Sequence, residues 1–346
     1  MADAEDGAPG WEAIDRALQQ LYPGVVPKHY GTLVKWSLGG PDPLDGISVY
    51  RRDDHWHFVS YGMSELYAKE SDDPEESGWG FELTLRLARP QPQSEPPVWA
   101  LALLQNLARY VFDSGNSFAA GHHVDLNGPI SLTEPQTAIR AVVFTEDPEL
   151  PLIDTPHGRL RFLQLVGITL EEYAAIERWD AAQLLQVLAT HLPLFVTDLA
   201  RADLTAEPSV AAAIAEGVRR DGSSTGSLFV QESGWQTGTG TTLTFGAKAA
   251  EGIARVLPAR LSFGRGLLID GPDRSIELLP GDRLAITHRD RDLLELQLPA
   301  PVLDELAAAL RPVAGTYRLP SAPGLTVEIV KSQIRDRDGN IVAEVG

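Results

Sequence analysis

Residues Ser77 to Asn127 read SGWGFELTLRLARPQPQSEPPVWALALLQNLARYVFDSGNSFAAGHHVDLN, and this order of side chains predicts a strand, a connection and a helix. From Trp79 to Ala88, side chains alternate in character, as they do in a half-buried strand. The inner face is predicted to carry Phe81, Leu83, Leu85 and Leu87, and the outer face Glu82, Thr84 and Arg86. The three prolines between Gln91 and Pro97 then exclude a continued sheet ladder and indicate a surface connection.

A helix is predicted after Pro97, because apolar residues recur there at helical spacing. Its apolar stripe consists of Leu103, Leu104, Leu107, Tyr110 and Val111. Gly115 follows the last periodic residues and is expected to end the helix. The turn-rich sequence after it predicts a loop that presents His122, His123 and Asp125.

The composition limits the classes of function. The chain has 346 residues and a formal net charge of -19, with 29 Lys plus Arg against 48 Asp plus Glu. Clustered cations are needed to bind a phosphate backbone, so direct nucleic-acid binding is not expected. The charge favours solubility or a basic protein partner. The sequence contains no cysteine, which excludes thiolate metal sites and cysteine nucleophiles.

No stretch is apolar for long enough to predict a membrane span, and MADAEDGAPG is too acidic for a secretory signal. We therefore expect a cytoplasmic protein. Alternating strand and helix patterns, which include a strand from His55 to Tyr61 and a single helix from Leu170 to His191, predict an α+β fold of two domains, each a mixed β-sheet flanked by helices. The composition changes at GSSTGS, where small polar residues are typical of a flexible connection. The predicted domain limits are therefore 1–204 for the first domain, 205–227 for a linker and 228–346 for the second domain.

Two histidine clusters are candidate metal ligands. His55 and His57 are two residues apart in a strand pattern and share a face, while His122, His123 and Asp125 follow one another in the predicted loop. An exposed or hydrogen-bonded strand face explains the first pair more simply, so we predict neither a bound metal nor a cofactor. A metal-dependent hydrolase that uses His55, His57, His122 and Asp125 remains the alternative from the enzyme class.

Other polar motifs are assigned to turns. Asp42 and Asp45 lie among glycines and prolines in GGPDPLDG, which is typical of a turn and not of an acid–base pair. The TGTGT run, Thr237 to Thr241, lacks the third glycine of a dinucleotide loop and precedes a strand, so it predicts a hairpin turn. We find no catalytic constellation and predict that the protein is not an enzyme.

Several long blocks, in one order, resemble the suppressor of fused family. They are HYGTLVKWSLGGPDPLDGISVYRR (His29 to Arg52), HWHFVSYGMSELY (His55 to Tyr67), GWGFELTLRL, LLQNLARYVF, TPHGRLRFLQLVGIT (Thr155 to Thr169) and LPLFVTDLAR (Leu192 to Arg201). A weaker resemblance continues in Thr241 to Gly266. The compact length and composition are similar to those of bacterial members of the family.

The resemblance implies a two-domain binding protein without catalytic activity, with a cleft between the two domains. Animal members hold an extended segment of Gli-type transcription factors by strand addition, in which main-chain bonds supply affinity. Tyr110 matches a tyrosine of that binding region, and His122 replaces an aspartate of the animal members. The resemblance therefore implies a partner-binding site at Tyr110, His122, His123 and Asp125.

We accordingly predict a protein-binding module that neutralises or sequesters an intracellular protein. Some bacterial members of the family are thought to be immunity proteins, which implies a toxin as the partner, and a basic toxin would suit this acidic chain. A regulator that binds a transcription factor, as animal members do, is the alternative within the same class.

Overall fold

The computed structural model describes residues 7–90, 92–335 and 340–346. The chain forms two compact units. The first, here called the N-terminal unit, runs to Tyr173 and includes Leu185–Leu204. The second, the C-terminal unit, consists of Ala174–Leu184 and Thr205–Gly346. Both contain helices and mixed sheets, so the predicted α+β class with two domains is confirmed.

The α-helices of the described residues alternate with short groups of strands along the chain. They are α1 Pro9–Leu21, α2 Val98–Ser114, α3 Leu170–Arg178, α4 Ala181–Leu188, α5 Pro208–Asp221, α6 Ala247–Leu261 and α7 Ala300–Ala309. None of the helices in these described ranges is both long and apolar enough to cross a membrane.

An 8-stranded sheet organises the N-terminal unit. Its strands are β1 Lys28–Gly31, β2 Gly46–Arg51, β3 His55–Tyr61, β4 Glu76–Ala88, β5 His123–Asp125, β6 Ala141–Glu146, β7 Ile153–Thr155 and β8 Gly158–Ile168. The order is β1-β2-β3-β4-β8-β6-β5, with β7 paired to β8. Strands β4 and β8 are parallel, and the other neighbours are antiparallel.

Helices cover both faces of this sheet. One face packs against the buried stripe of α2, which includes Leu104 and Val111. The other face packs against α1, through Ile14, Leu18 and Tyr22. The prediction that β4 is half-buried was therefore wrong. Alternation does direct the polar side chains to the face opposite the leucines, and this face is the one that α1 covers. Because α1 excludes solvent there, Glu82, Thr84 and Arg86 are fully buried and hydrogen-bonded.

The C-terminal unit contains two larger sheets and one hairpin. Its strands are β9 Ser227–Phe229, β10 Ser233–Thr237, β11 Thr241–Gly246, β12 Leu267–Asp270, β13 Ser275–Pro280, β14 Ala285–His288, β15 Leu293–Leu298, β16 Gly315–Arg318, β17 Leu325–Val330, β18 Ser332–Arg335 and β19 Ile341–Val345. The orders are β10-β11-β17-β16 and β14-β15-β13-β12-β9, and β18 pairs with β19. Helices α6 and α7 share one apolar core with both sheets. Because β10 and β11 are antiparallel around TGTGT, the hairpin prediction is confirmed.

Two differences from the sequence patterns concern the middle of the chain. A single helix was predicted from Leu170 to His191, but α3 ends at Arg178 and α4 begins at Ala181. Helix α5 occupies most of residues 205–227, the stretch assigned to a linker. The domain limits 1–204 and 228–346 remain predictions.

Candidate functional site

Tyr110 lies on the surface near the end of α2. Pro97 precedes this helix, and Gly115 ends it with a φ of 74°, the left-handed conformation that favours glycine. The buried stripe contains Leu104, Leu107 and Val111, but the side chain of Tyr110 is 48% exposed. One edge of the helix thus carries a half-exposed aromatic ring, and the prediction that placed Tyr110 within the apolar stripe was wrong on this point.

A stack of rings supports Tyr110. Its ring centroid lies 5.5 Å from that of Phe118, and the two planes are inclined by 24°. Phe118 in turn stacks on Phe144 of β6 at 4.2 Å. Both phenylalanines are buried, so the tyrosine ring rests on a fixed base while its outer side remains accessible.

The predicted loop of His122, His123 and Asp125 is partly a strand. His123–Asp125 form β5, which pairs with Ala141–Val143 of β6 and ends the sheet order. The loop prediction was wrong here because glycine and asparagine flank a strand too short to show alternation. His122, just before the strand, is exposed.

The fold brings Tyr110 and His122 to one region around Phe144. The Phe144 N–H donates to the His122 carbonyl at 2.8 Å, and the Phe144 carbonyl accepts from Gly121 N–H at 2.8 Å. The same phenylalanine supports Phe118, on which Tyr110 stacks. We call Tyr110 and His122, at the end of the sheet formed by β5, the Tyr110 surface.

The other two predicted site residues, His123 and Asp125, make contacts of their own. The His123 ring meets that of Tyr173 edge to face at 5.1 Å. Asp125 accepts a hydrogen bond from the Asn127 N–H at 2.8 Å, which stabilises the turn where Asn127 has a φ of 58°. Val124, which lies between His123 and Asp125, packs with the core on the α2 side of the sheet, so strand alternation directs His123 and Asp125 to the opposite face. The structure therefore brings Tyr110 and His122 to one region and does not bring His123 and Asp125 to the Tyr110 ring.

His55 and His57 lie elsewhere in the sheet. Both are on β3, and both are buried. Strand β3 is four steps from β5 in the sheet order. Strands are spaced about 4.8 Å apart, so roughly 19 Å separates the two histidine clusters. The structure does not bring His55 and His57 together with His122 and Asp125, as the hydrolase alternative requires. Within the described ranges, no group of three or more His, Cys, Asp or Glu side chains is arranged to hold a metal ion.

His57 instead belongs to a buried network that the sequence patterns did not reveal. Its Nδ1 lies 2.6 Å from the Tyr22 hydroxyl, and its Nε2 lies 3.2 Å from Oδ2 of Asp147. Burial lowers the pKa of His57 to about 4, against the opposing effect of Asp147, so the imidazole is neutral near neutral pH. When the neutral ring carries its proton on Nε2, its Nδ1 accepts a hydrogen bond from the Tyr22 hydroxyl and its Nε2–H faces the Asp147 carboxylate.

Arg86 is the cation of this network. Its guanidinium forms two hydrogen bonds with Asp147, at 2.6 and 2.9 Å, and a third with Glu149 at 3.0 Å. It also donates to Oε1 of Gln164. Burial alone raises the pKa of Asp147, but the close approach of His57 and the hydrogen bonds from Arg86 outweigh it and hold the pKa well below its usual range. We call Tyr22, His57, Arg86, Asp147, Glu149 and Gln164 the Arg86 network.

The Arg86 network is suited to fixing the fold and not to chemistry. The guanidinium and the Asp147 carboxylate are fully buried and engaged with one another. The one signal in the sequence was an arginine among leucines in TLRL. Because its partner Asp147 is 61 residues away, local patterns could not identify the pair.

Glu82 is a second buried acid with a structural role. Its carboxylate accepts from the hydroxyls of Ser60 and Ser64 at 2.5 and 2.6 Å, and from the backbone N–H of Gly62 and Ser64 at 2.9 and 3.0 Å. Burial raises the pKa of Glu82, and these donors oppose the change. The side chain thereby fixes the turn that follows β3.

Comparisons with known proteins agree with the resemblance found in the sequence. Residues 40–202 match the family described as Suppressor of fused protein. The human Suppressor of fused homolog is 38% identical over 236 residues, which cover 62% of this chain and 48% of the human protein. The chain therefore spans about half the length of the curated relatives it matches.

Solved structures support the same assignment. The crystal structure of Drosophila Suppressor of Fused matches with a TM-score of 0.72 at 22% identity, covering 95% of this chain and 99% of that one. A crystal structure of the Sufu–Fu complex contains a chain that matches with a TM-score of 0.55 at 31% identity, covering 60% of this chain and 98% of that one. From its sequence blocks, its fold and these matches, the chain belongs to the Suppressor of fused family.

Proposed function

We propose that this protein is a non-catalytic binding module that holds a protein partner at the Tyr110 surface. The observation that carries the proposal is the half-exposed Tyr110 ring, which stacks on Phe118 beside His122 and the last strand of the sheet. A related chain has been crystallised in the Sufu–Fu complex, which supports a protein as the partner. Tyrosine is common at such interfaces because it combines a large apolar ring with a polar hydroxyl.

We infer that the partner contributes an extended segment. Strand β5 pairs with β6 and ends the sheet, so an added strand would extend the sheet at this end. In strand addition, main-chain hydrogen bonds supply much of the affinity, and pockets for alternate side chains supply specificity. Tyr110 and His122 are positioned to contact such side chains.

A basic protein is the partner that the charge favours. The chain carries 48 acidic against 29 basic side chains. Such an excess attracts a cationic partner over long range and accelerates association at low salt. We therefore propose neutralisation of a basic toxin inside the cell as the primary role. Binding of a transcription factor is the alternative, and the identity of the captured partner distinguishes the two.

Site-directed photo-crosslinking in cells tests the proposal. The substitution Tyr110→p-benzoylphenylalanine places a photoreactive group at the proposed surface, and the same group at Leu132 is the control. Leu132 is 86% exposed and lies outside the Tyr110 surface. We expect a discrete protein adduct from position 110 and none from position 132. Absence of an adduct at 110, or the same adducts at both positions, would contradict the proposal.

A further inference from the structure

A short segment between β1 and β2 exposes an unusual amount of apolar surface. Leu33 is fully exposed, Leu38 is 77% exposed, and about half of Val34 is accessible. Single exposed leucines are common on soluble proteins, but three large apolar side chains within six residues form a patch.

Internal contacts hold this segment in one conformation. The Lys35 carbonyl accepts from Leu38 N–H at 2.9 Å and from Gly40 N–H at 3.0 Å. The Trp36 ring meets Phe112 of α2 edge to face at 5.7 Å. Trp36 therefore anchors the segment to the helix, while the two leucines and Val34 project to solvent.

An acidic loop begins beside the apolar patch. The ammonium of Lys35 lies 3.7 Å from the centre of the exposed Tyr67 ring, which joins the segment to the loop beginning there. Glu65 holds this loop in place, because its carboxylate accepts from the backbone N–H of Glu70 and Ser71 at 2.6 and 2.5 Å. The apolar segment and the ordered loop thus meet through the contact between Lys35 and Tyr67.

The charge of the loop is largely uncompensated. Its one lysine, Lys69, is engaged by Glu65 at 3.0 Å. Glu70, Asp72 and Asp73 are exposed, and within the described part of the chain no basic side chain lies within ion-pair distance of them. Three acidic side chains therefore remain available to attract cations.

We propose that Leu33, Val34, Leu38 and Tyr67, with Glu70, Asp72 and Asp73, form a docking surface for a cationic amphipathic helix of a partner protein. We call these residues the Leu33 surface. Large apolar side chains of the helix cover the exposed leucines, and lysines or arginines along its edge face the acidic loop. A second copy of this chain is disfavoured because both copies would bring the same acidic loop. This surface shares no residue with the Tyr110 surface.

Fluorescence anisotropy with a labelled synthetic peptide, built from leucine and lysine at helical spacing, tests this proposal on the full chain. We expect the double variant Leu33→Ser/Leu38→Ser to bind about tenfold more weakly at both low and high salt, as for a central apolar contact. The variant Asp72→Asn/Asp73→Asn is expected to bind more weakly at low salt only, because salt screens exposed charges. Leu132→Ser is the control and should retain wild-type affinity.

Several results would overturn the proposal. They are no binding of the peptide to the wild-type chain, unchanged affinity in the double leucine variant, and an equal loss in Leu132→Ser. Melting temperatures check that each variant is folded, since exposed substitutions usually change stability by less than about 0.5 kcal/mol. Sedimentation tests whether a second copy of this chain occupies the Leu33 surface instead. A wild-type dimer that becomes monomeric in Leu33→Ser/Leu38→Ser would assign the surface to a second copy and contradict a cationic partner.

Discussion

Asp147 is the residue on which the Arg86 network depends most. It receives two hydrogen bonds from the guanidinium and one from Thr84 at 2.8 Å, all inside the protein. Asp147→Asn keeps the shape of the side chain but leaves the buried arginine without its full counter-charge. Removing one partner of a buried ion pair typically costs about 3–5 kcal/mol, so we expect the free energy of unfolding to fall by that amount.

Urea denaturation at neutral pH measures this change. Asp154→Asn is the matched control, because Asp154 is exposed and should contribute little. If Asp147→Asn were no more destabilising than Asp154→Asn, the ion pair would not support the fold as described.

Glu65 makes stability depend on pH. Burial alone raises the pKa of Glu65, but backbone N–H donors and Lys69 outweigh it and lower the pKa to about 2. A carboxylate with a lowered pKa stabilises the folded state fully above its unfolded pKa, and this contribution is lost as pH falls towards the folded value. We therefore expect Glu65→Gln to destabilise the protein at neutral pH.

The same variant should reduce the loss of stability between about pH 4.5 and pH 2. Chemical denaturation of both proteins over this range provides the measurement. Parallel curves for Glu65→Gln and wild type throughout the window would show that the carboxylate does not titrate as described.

At the scale of elements, Gln164 connects the Arg86 network to a strained turn. Leu194 and Phe195 have φ values of 54° and 53°, the left-handed region that costs energy for such side chains. The Gln164 amide donates to both their carbonyls, at 2.9 and 3.1 Å. Thr197 then donates its N–H to the Arg86 carbonyl at 2.8 Å, so the segment after the turn lies along β4.

We predict that Gln164→Leu loosens this segment. The substitution removes the donor to these two half-buried carbonyls and one acceptor of the buried Arg86 guanidinium, and an unsatisfied buried donor costs about 1–3 kcal/mol. Hydrogen exchange at the Thr197 amide should become faster, while exchange in α2 should change less. Gln136→Leu, at an exposed position, is the control. If the Thr197 amide exchanged as slowly in Gln164→Leu as in the wild type, the turn would not depend on the Arg86 network.

The elements that sequence patterns predicted well are the ones with long local periodicity. Strand β3 was predicted with its observed ends, and helix α2 with its start after Pro97 and its end before Gly115. Strand β5 was missed because it has three residues and depends on pairing with β6. The burial of both faces of β4 depends on α1, far away in sequence, so alternation alone indicated an exposed polar face.

At the scale of the whole molecule, residues Ala174–Leu184 belong with the C-terminal unit. Trp179 donates its indole N–H to Asp221 at 3.0 Å, and Arg255 pairs with Glu177 at 2.6 Å. Gly217 of α5 lies against the Trp179 ring so closely that a methyl group there would overlap with it. These contacts could not be inferred locally, since they join positions about 40 to 80 residues apart.

We therefore predict that a fragment of residues 174–346 unfolds cooperatively, whereas a fragment of residues 205–346 is less stable. The shorter fragment lacks Trp179 and exposes its apolar surroundings, and loss of a large buried aromatic residue costs about 3–5 kcal/mol. Thermal unfolding followed by circular dichroism compares the two. Equal stability would show that residues 174–184 are not part of this unit.

The Tyr110 surface was partly predictable. The positions of its residues were predicted from motifs that resemble those of the family. The exposure of Tyr110, in contrast, depends on how α2 is rotated against the sheet. The stack of Tyr110, Phe118 and Phe144 joins a helix, a loop and a strand, so no local pattern could indicate it.

The affinity of the purified partner for variants of the Tyr110 surface is the most direct measure of the proposed function. Isothermal titration calorimetry should compare Tyr110→Ala, His122→Glu and the control Leu132→Ser with the wild-type chain, with the melting temperature of each variant recorded. We expect dissociation constants to rise about tenfold or more for Tyr110→Ala, as for an interface hot spot, and to rise for His122→Glu without a change in melting temperature. Leu132→Ser should bind as the wild type does. Unchanged affinity in both Tyr110→Ala and His122→Glu would contradict binding at this surface.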